Sequence, residues 1–206
     1  ATALGLPKPP TRVEIYDNSH IQGKHAVGGM VVAGPEGFEK GAYRRFNIKD
    51  EGKFATATGD DFAMMRQVIH RRFARAKREE GGRQSSNWPD LLLIDGGLGQ
   101  LSAVHKALDD LGVDDLAVVA ISKGPDRHAG LEQFHIRDKP SFTLPPDSAA
   151  MHFLQRLRDE SHRYAIGAHR AKRAKTEFTS PLDAVPGIGP KRKKALLAHF
   201  GSARAV

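Results

Sequence analysis

Ten consecutive residues, Leu91-Leu92-Leu93-Ile94-Asp95-Gly96-Gly97-Leu98-Gly99-Gln100, constrain this chain more than any other stretch. Four large aliphatics without polar alternation read as a central strand covered on both faces. The run ends in a carboxylate and two glycines, and Gln100 to Leu111 then has helical spacing. Open α/β sheets place their ligands at the carboxyl ends of such strands. A carboxylate there is costly to keep ionised unless a cation meets it. Gly96 and Gly97 leave the backbone clear enough for a metal or a phosphate to come close. The competing reading is a plain strand–turn–helix junction in which Asp95 caps the next helix.

The flanking sequence supplies the other elements of a sheet. Arg12 to Asp17 alternates and predicts a first strand, again ending in an Asp. Ala26 to Ala33 predicts a second strand, Gly34 to Gly37 a turn, and Gly41 to Ile48 a third strand, together an antiparallel meander. Residues 49–59 are polar and loop-like. From Asp60, the residues Phe62, Met65, Val68, Ile69 and Phe73 recur at helical spacing, with Arg66, Arg71, Arg72, Arg75 and Lys77 on the opposite face. A strand at Leu116 to Ile121 completes a parallel strand–helix–strand unit with the Leu91 run. Gln133–Ile136 and Ser141–Leu144 predict a short hairpin. Asp147 or Ser148 then caps a helix running from Ala149 towards Lys175. Met151, Leu154, Leu157, Ser161, Ala165 and Ala168 give it a sheet-facing side, and His162 lies at the border of that side. The expected fold class is therefore α/β. Residues 1–10, with three prolines, form a linker remnant, 11–175 the main domain, and 176–206 a basic appendage beyond a hinge near Thr176 to Pro181.

Charge distribution narrows the function. Residues 1–150 hold 20 Lys and Arg against 20 Asp and Glu, whereas residues 151–206 hold 12 against four. The whole net charge of +8 therefore sits in the last quarter of the chain. Such asymmetry favours a polyanion partner. With no run of 18 apolar residues there is no membrane-spanning segment and no membrane partner is expected. Zero cysteines exclude disulfides and thiolate metal sites, which fits a cytoplasmic location. Ala1 without a preceding Met suggests a piece of a longer chain.

Two strand-end carboxylates, Asp17 and Asp95, sit side by side if their strands are neighbours. They would then repel unless a cation lies between them, and hard oxygen ligands of this kind suit Mg²⁺ or Mn²⁺. Each has a structural alternative, an Asx turn for Asp17 and a helix cap for Asp95. Asp60 and Asp61 add carboxylate density, or else serve the first helix as cap and dipole complement. His162 can ligate a metal or move protons near neutrality, or can be a surface histidine beside acidic neighbours. His20, His70, His128, His152 and His169 read as structural or surface residues, with His20 and His169 as exceptions. Gly96-Gly97-Leu98-Gly99 is neither a P-loop nor a dinucleotide fingerprint. In the tail, Val185-Pro186-Gly187-Ile188-Gly189-Pro190-Lys191-Arg192 forms a tight turn whose amides can hold a DNA backbone phosphate, with basic side chains beside it.

Five motifs in order carry a resemblance. They are Tyr16-Asp17-Asn18-Ser19-His20, Tyr43-Arg44-Arg45-Phe46-Asn47-Ile48, Gly59-Asp60-Asp61-Phe62-Ala63-Met64, Leu93-Ile94-Asp95-Gly96-Gly97, and residues 158–166 from Arg158 to Ile166 around His162. Together they resemble the UvrC family of the UvrABC excision nuclease over essentially the whole chain. The resemblance implies an RNase H-like mixed five-stranded sheet flanked by helices, followed by part of a helix-hairpin-helix region. It implies a divalent-metal-dependent endodeoxyribonuclease of nucleotide excision repair that cuts damaged DNA on the 5′ side of the lesion. Carried over by residue, Asp17, Asp95 and His162 resemble the catalytic, metal-holding triad. Asp61 is similar to a further important carboxylate, with Asp60 beside it. Lys123, Arg158 and Arg163 are candidates to position the DNA strand, and Gly187, Gly189, Lys191 and Arg192 to hold its backbone. Damaged DNA and the UvrB–DNA complex are the implied partners, the second nuclease and the UvrB-contacting segment lying outside these residues. The alternatives are a non-catalytic DNA-binding module and another RNase H-like nuclease, such as one cutting RNA–DNA hybrids.

Overall fold

The Leu91 run is the central strand of a mixed sheet, and its aliphatics from Leu91 to Ile94 are all essentially inaccessible to solvent. Removing four such side chains from water stabilises the fold by roughly 1.5–3 kcal/mol each. The computed structural model describes residues 1–21, 24–48, 60–79, 81–124, 132–177, 182 and 185–202, with backbone alone for 19–21, 24, 25, 168–177 and 190. The chain divides into two compact units, residues 1–169 and 170–206.

In the first unit the elements run β1 (Val13–Ile21), β2 (Lys24–Gly34), β3 (Gly37–Phe38), β4 (Arg44–Asn47), α1 (Asp61–Glu79), β5 (Leu91–Asp95), α2 (Leu98–Asp109), β6 (Ala117–Ser122), β7 (Gln133–His135) and the larger part of α3 (Ala149–Glu177), whose residues from 170 on fall in the second unit. The sheet order is β3-β2-β1-β5-β6-β7, with β4 also paired to β2. All five expected strands form, as β1, β2, β4, β5 and β6. Two short ones, β3 and β7, extend the sheet to seven strands. The third expected strand is shorter than the sequence implied, because residues 40–42 coil into a 3-10 turn before Arg44. Of the expected hairpin, only β7 joins the sheet; its second limb makes a single bridge, Phe134 to Phe142.

β1 runs antiparallel to β2 and parallel to β5. It does not stop at Asp17 as its alternation implied. Antiparallel pairing with β2 carries it on to Ile21, while the parallel ladder with β5 ends at Tyr16 opposite Ile94. Gly28 and Gly29 of β2 show how the layers stack. A side chain on Gly28 would collide with Val68 of α1, and one on Gly29 would press on Tyr164 and Ala165 of α3. Successive strand residues face opposite sides, so α1 and α3 cover opposite faces of the sheet.

α1 departs from its helical pattern at two positions. Phe62 was expected in the core but is 50% exposed, its ring lying on Gly99 at the start of α2. Arg72, expected on the solvent face, is buried. Its guanidinium donates to the fully buried Glu14 at 3.0 Å and to the Asn87 carbonyl at 2.7 Å. Arg12 also reaches Glu14 at 3.2 Å, and the Tyr16 hydroxyl donates to it at 2.5 Å. A carboxylate inside the α1 layer is thus met by two cations and a hydroxyl, without which it would be strongly destabilising.

The second unit holds α4 (Pro190–Phe200). The Val185–Ile188 turn closes through the Ile188 amide on the Val185 carbonyl, with Gly187 at φ 87. Pro190 opens the helix where a missing amide proton costs nothing. The hinge expected at Thr176 to Pro181 starts within α3, which continues to Glu177; its residues 178–181 and the 49–59 loop lie outside the described residues.

Arg72→Ala would leave Glu14 with one cation in place of two. It is expected to cost about 3 kcal/mol in urea unfolding at pH 7, with Arg72→Lys recovering part of that.

Candidate metal-binding site at the strand ends

The parallel register decides where the two carboxylates go. Tyr16 pairs with Ile94, so the next residue on each strand, Asp17 and Asp95, stands beside the other at the carboxyl end of the ladder. Asp17 faces the α3 layer, as does its antiparallel partner Gly29. His162 comes from α3, whose Met151, Leu154, Leu157, Ser161 and Ala165 are buried. Its imidazole sits at the edge of that face, and Nδ1 lies 3.0 Å from Asp17 Oδ2. One ligand atom from each of Asp17, Asp95 and His162 lies within 4.8 Å of the others.

Electrostatics mark this as a place where a positive charge is wanted. Burial pushes the Asp95 carboxyl up to about 6, and the neighbouring Asp17 charge adds to the rise. Asp17 is likewise raised by burial, an effect offset in part by His162 and by the Asn18 amide and reinforced by Asp61. Two oxygen-donating side chains with room for an imidazole form a hard ligand set that suits Mg²⁺ or Mn²⁺.

The alternatives to a ligand role find other occupants. Asp60 caps α1, accepting the Ala63 amide at 2.9 Å. Asp61 follows in the first turn and acts on Asp17 through its field, outside the three-residue cluster. At the start of α2 the Gly97 amide donates to Gln100 Oε1 at 3.2 Å, so Asp95 is not needed as a cap. Gly96 differs from its expected role. A side chain there would lie 2.8 Å from Gln100, so the space its missing Cβ leaves is filled by protein rather than held open.

The basic candidates separate. Lys123 is exposed just beyond β6, and its charge reaches Asp95. Arg158 also acts on Asp95, while its guanidinium is held 3.0 Å from the buried Glu132. Sequence pattern gave no sign of that pairing, because Glu132 is separated from Arg158 by a proline-rich connection. Arg163 turns away, bound to Glu160 at 2.6 and 2.8 Å. Gly187, Gly189, Lys191 and Arg192 belong to the second unit, where Arg192 Nη1 donates to the Gly187 carbonyl at 2.7 Å. His128 and the side chains of His20 and His169 lie outside the described residues.

Two features escaped the sequence. Phe62 and Leu98, 50% and 60% exposed, stand at the starts of α1 and α2 near the strand ends. His135 bridges Ser122 at 2.8 Å and Ser141 at 2.7 Å, fastening the end of β6 from which Lys123 projects.

Sheet, helices and cluster together define an α/β protein of RNase H-like architecture with a hard-ligand site at its strand ends. Residues 1–166 match the family described as UvrC RNAse H endonuclease domain. The chain belongs to that family. It is 62% identical over all 206 residues to UvrABC system protein C of Sphingopyxis alaskensis and 60% identical to that of Rhodospirillum rubrum. It spans 32% of the length of each, about a third of the curated relatives it matches. Among solved structures, an endonuclease V of Ciona intestinalis in complex with DNA aligns with a TM-score of 0.40 at 12% identity, over 58% of this chain and 48% of that one.

Asp95→Asn should stabilise the metal-free protein. The raised carboxyl means its ionised form is disfavoured by folding, a cost that sets in above the ordinary carboxylate value of 3.8 and is complete above about pH 6. The variant should gain about 1–3 kcal/mol at pH 7, read as a higher Tm, and this gain should shrink as the pH falls below about 6 and vanish below about pH 4.

Proposed function

We propose that this domain is a divalent-metal-dependent endodeoxyribonuclease of nucleotide excision repair, hydrolysing a phosphodiester on the 5′ side of a lesion. The observation that carries the reading is the convergence of Asp17, Asp95 and His162 within 4.8 Å, in a chain of the UvrC RNase H endonuclease domain family. Asp17, Asp95 and His162 would hold Mg²⁺ or Mn²⁺. Such an ion supplies charge neutralisation at the phosphate and a more acidic bound water.

The chain's own groups then have distinct tasks. With Nδ1–H donating to Asp17, the His162 ring is held in one orientation and Nε2 is left as an acceptor. Asp61 deepens the negative field at Asp17. Lys123 is the exposed cation beside Asp95 and is suited to meet the scissile strand, whereas Arg158 tunes Asp95 from its pairing with Glu132. Arg163, bound to Glu160, serves a more distant part of the strand. Residues 11–175 form the nuclease domain, and 176–206 a partial helix-hairpin-helix region. There the turn amides around Gly187 and Gly189, with Lys191 and Arg192, hold backbone phosphates regardless of sequence. The substrate is damaged DNA in complex with UvrB, met through the full-length protein in the cytoplasm.

The test is nicking of supercoiled plasmid by this chain with Mn²⁺. Cutting should fall to background with EDTA and in Asp17→Ala and Asp95→Ala, while metal-free duplex affinity stays within about twofold. Undiminished cutting by either variant sinks the assignment. Salt-sensitive binding without any cutting, by this chain and by the full-length protein, would make it a DNA-binding module instead. Preferential cutting of RNA–DNA hybrid would make it a different RNase H-like nuclease.

A further inference from the structure

On the α1 face of the sheet, opposite the layer that carries His162, a cavity of about 250 Å³ opens between β4, β2 and α1. Arg12, Arg44, Arg71, Arg72 and Arg75 line it over an apolar floor of Met30 and Phe46, and no acidic side chain lines it among the described residues. Arg45 also borders it, with its guanidinium 4.6 Å from the Tyr164 ring.

Among the described residues, ion pairs tie these arginines to three carboxylates, those of Glu14, Glu39 and Glu79. Arg12 and Arg72 share the buried Glu14, and Arg12 also takes Glu39 at 3.1 Å. Arg75 pairs with Glu79, which Arg78 shares. Arg44 donates to the carbonyls of Gly41 and Tyr43, and Arg71 to that of Asn47; neither has a carboxylate partner among the described residues. Arg71 also packs 5.8 Å from the Phe46 ring. The 49–59 segment between β4 and α1 carries two acidic and two basic residues, so it brings no net charge. Arginine cannot shed its proton to relieve such crowding. Each carbonyl bond fixes a guanidinium while leaving other N–H donors of the fork free, and converging forks fit a tetrahedral oxyanion.

We propose that this arginine-lined cavity is a second nucleic-acid contact, binding a backbone phosphate of DNA other than the scissile one. This rests on the nucleic-acid reading above and adds a site on the other face of the sheet. A compact hole with an apolar floor accepts one phosphate with its sugar against Phe46. A run of acidic peptide would need an extended groove.

The test is duplex binding by this chain in EDTA across a salt series, comparing wild type, Arg44→Gln/Arg71→Gln, and Arg83→Gln as an exposed control paired to Asp114 and Asp115. Removing a phosphate contact should flatten the plot of log affinity against log salt by about 1 and weaken binding about tenfold or more at low salt. The control should change neither beyond about twofold, and thermal melts should show that all three proteins fold. A slope in the double variant equal to wild type, or a loss no larger than the control's, overturns the proposal. Normal duplex binding with lost binding of a poly-glutamate peptide also overturns it, and makes the cavity a site for acidic protein. Asp95→Ala leaves this metal-free assay untouched, so the nuclease reading and the cavity can each fail alone.

Discussion

The parallel ladder between β1 and β5 is the constraint on which the rest depends. Its register ends with Tyr16 opposite Ile94, and that fixes Asp17 and Asp95 as neighbours at one end of the sheet. The ladder is held by aliphatics that see no water on either face. Two carboxylates are therefore forced together by a hydrophobic core that has no use for them. Burial raises the Asp95 carboxyl, and the charge of Asp17 beside it adds to the rise. His162, Lys123 and Arg158 offset part of it, and a divalent cation would offset the remainder. Stability is given up locally where these charges are concentrated, a trade that the proposed metal site would explain.

The two faces of the sheet handle charge differently. On the α3 face the carboxylates lack sufficient cations. On the α1 face Glu14 is matched by Arg12, Arg72 and Tyr16, and further arginines gather around the cavity. A first unit that is nearly neutral by count, with 23 Lys and Arg against 22 Asp and Glu, is thus polarised across its own sheet. Net charge hid this, because +7 of the +8 falls in the second unit.

Much of the fold could be read from residue patterns. The buried Leu91 run, the helical spacing from Phe62 and the turn at Gly34 each carry strong local signals, and their elements form. That Asp17 and Asp95 stand side by side was legible from two strands each ending in an Asp, given that the strands are neighbours, but that His162 joins them was legible only through the family resemblance, since no periodicity links residue 17 to residue 162. What escaped depends on where packing places side chains rather than on local pattern. Arg72 reads as solvent-facing until Glu14 lies across from it. Phe62 reads as core until its ring settles on Gly99 of α2 and stays half exposed. Gly96 reads as an open approach until Gln100 folds back over it.

The helical origin of His162 also sets how this domain can tolerate changes of length. Its imidazole is aimed by buried contacts along α3 from Met151 to Ala165. One residue added between Met151 and His162 would turn the ring about 100° around the helix axis and shift it about 1.5 Å along it. The strand-borne carboxylates carry a matching sensitivity, since a one-residue slip in β1 sends Asp17 to the opposite face. Connecting segments such as 110–116, between α2 and β6, carry no such registration. Insertions and deletions across related chains are therefore expected to collect there, with α3 from Met151 to His162 and β1 from Val13 to Asp17 kept at fixed length.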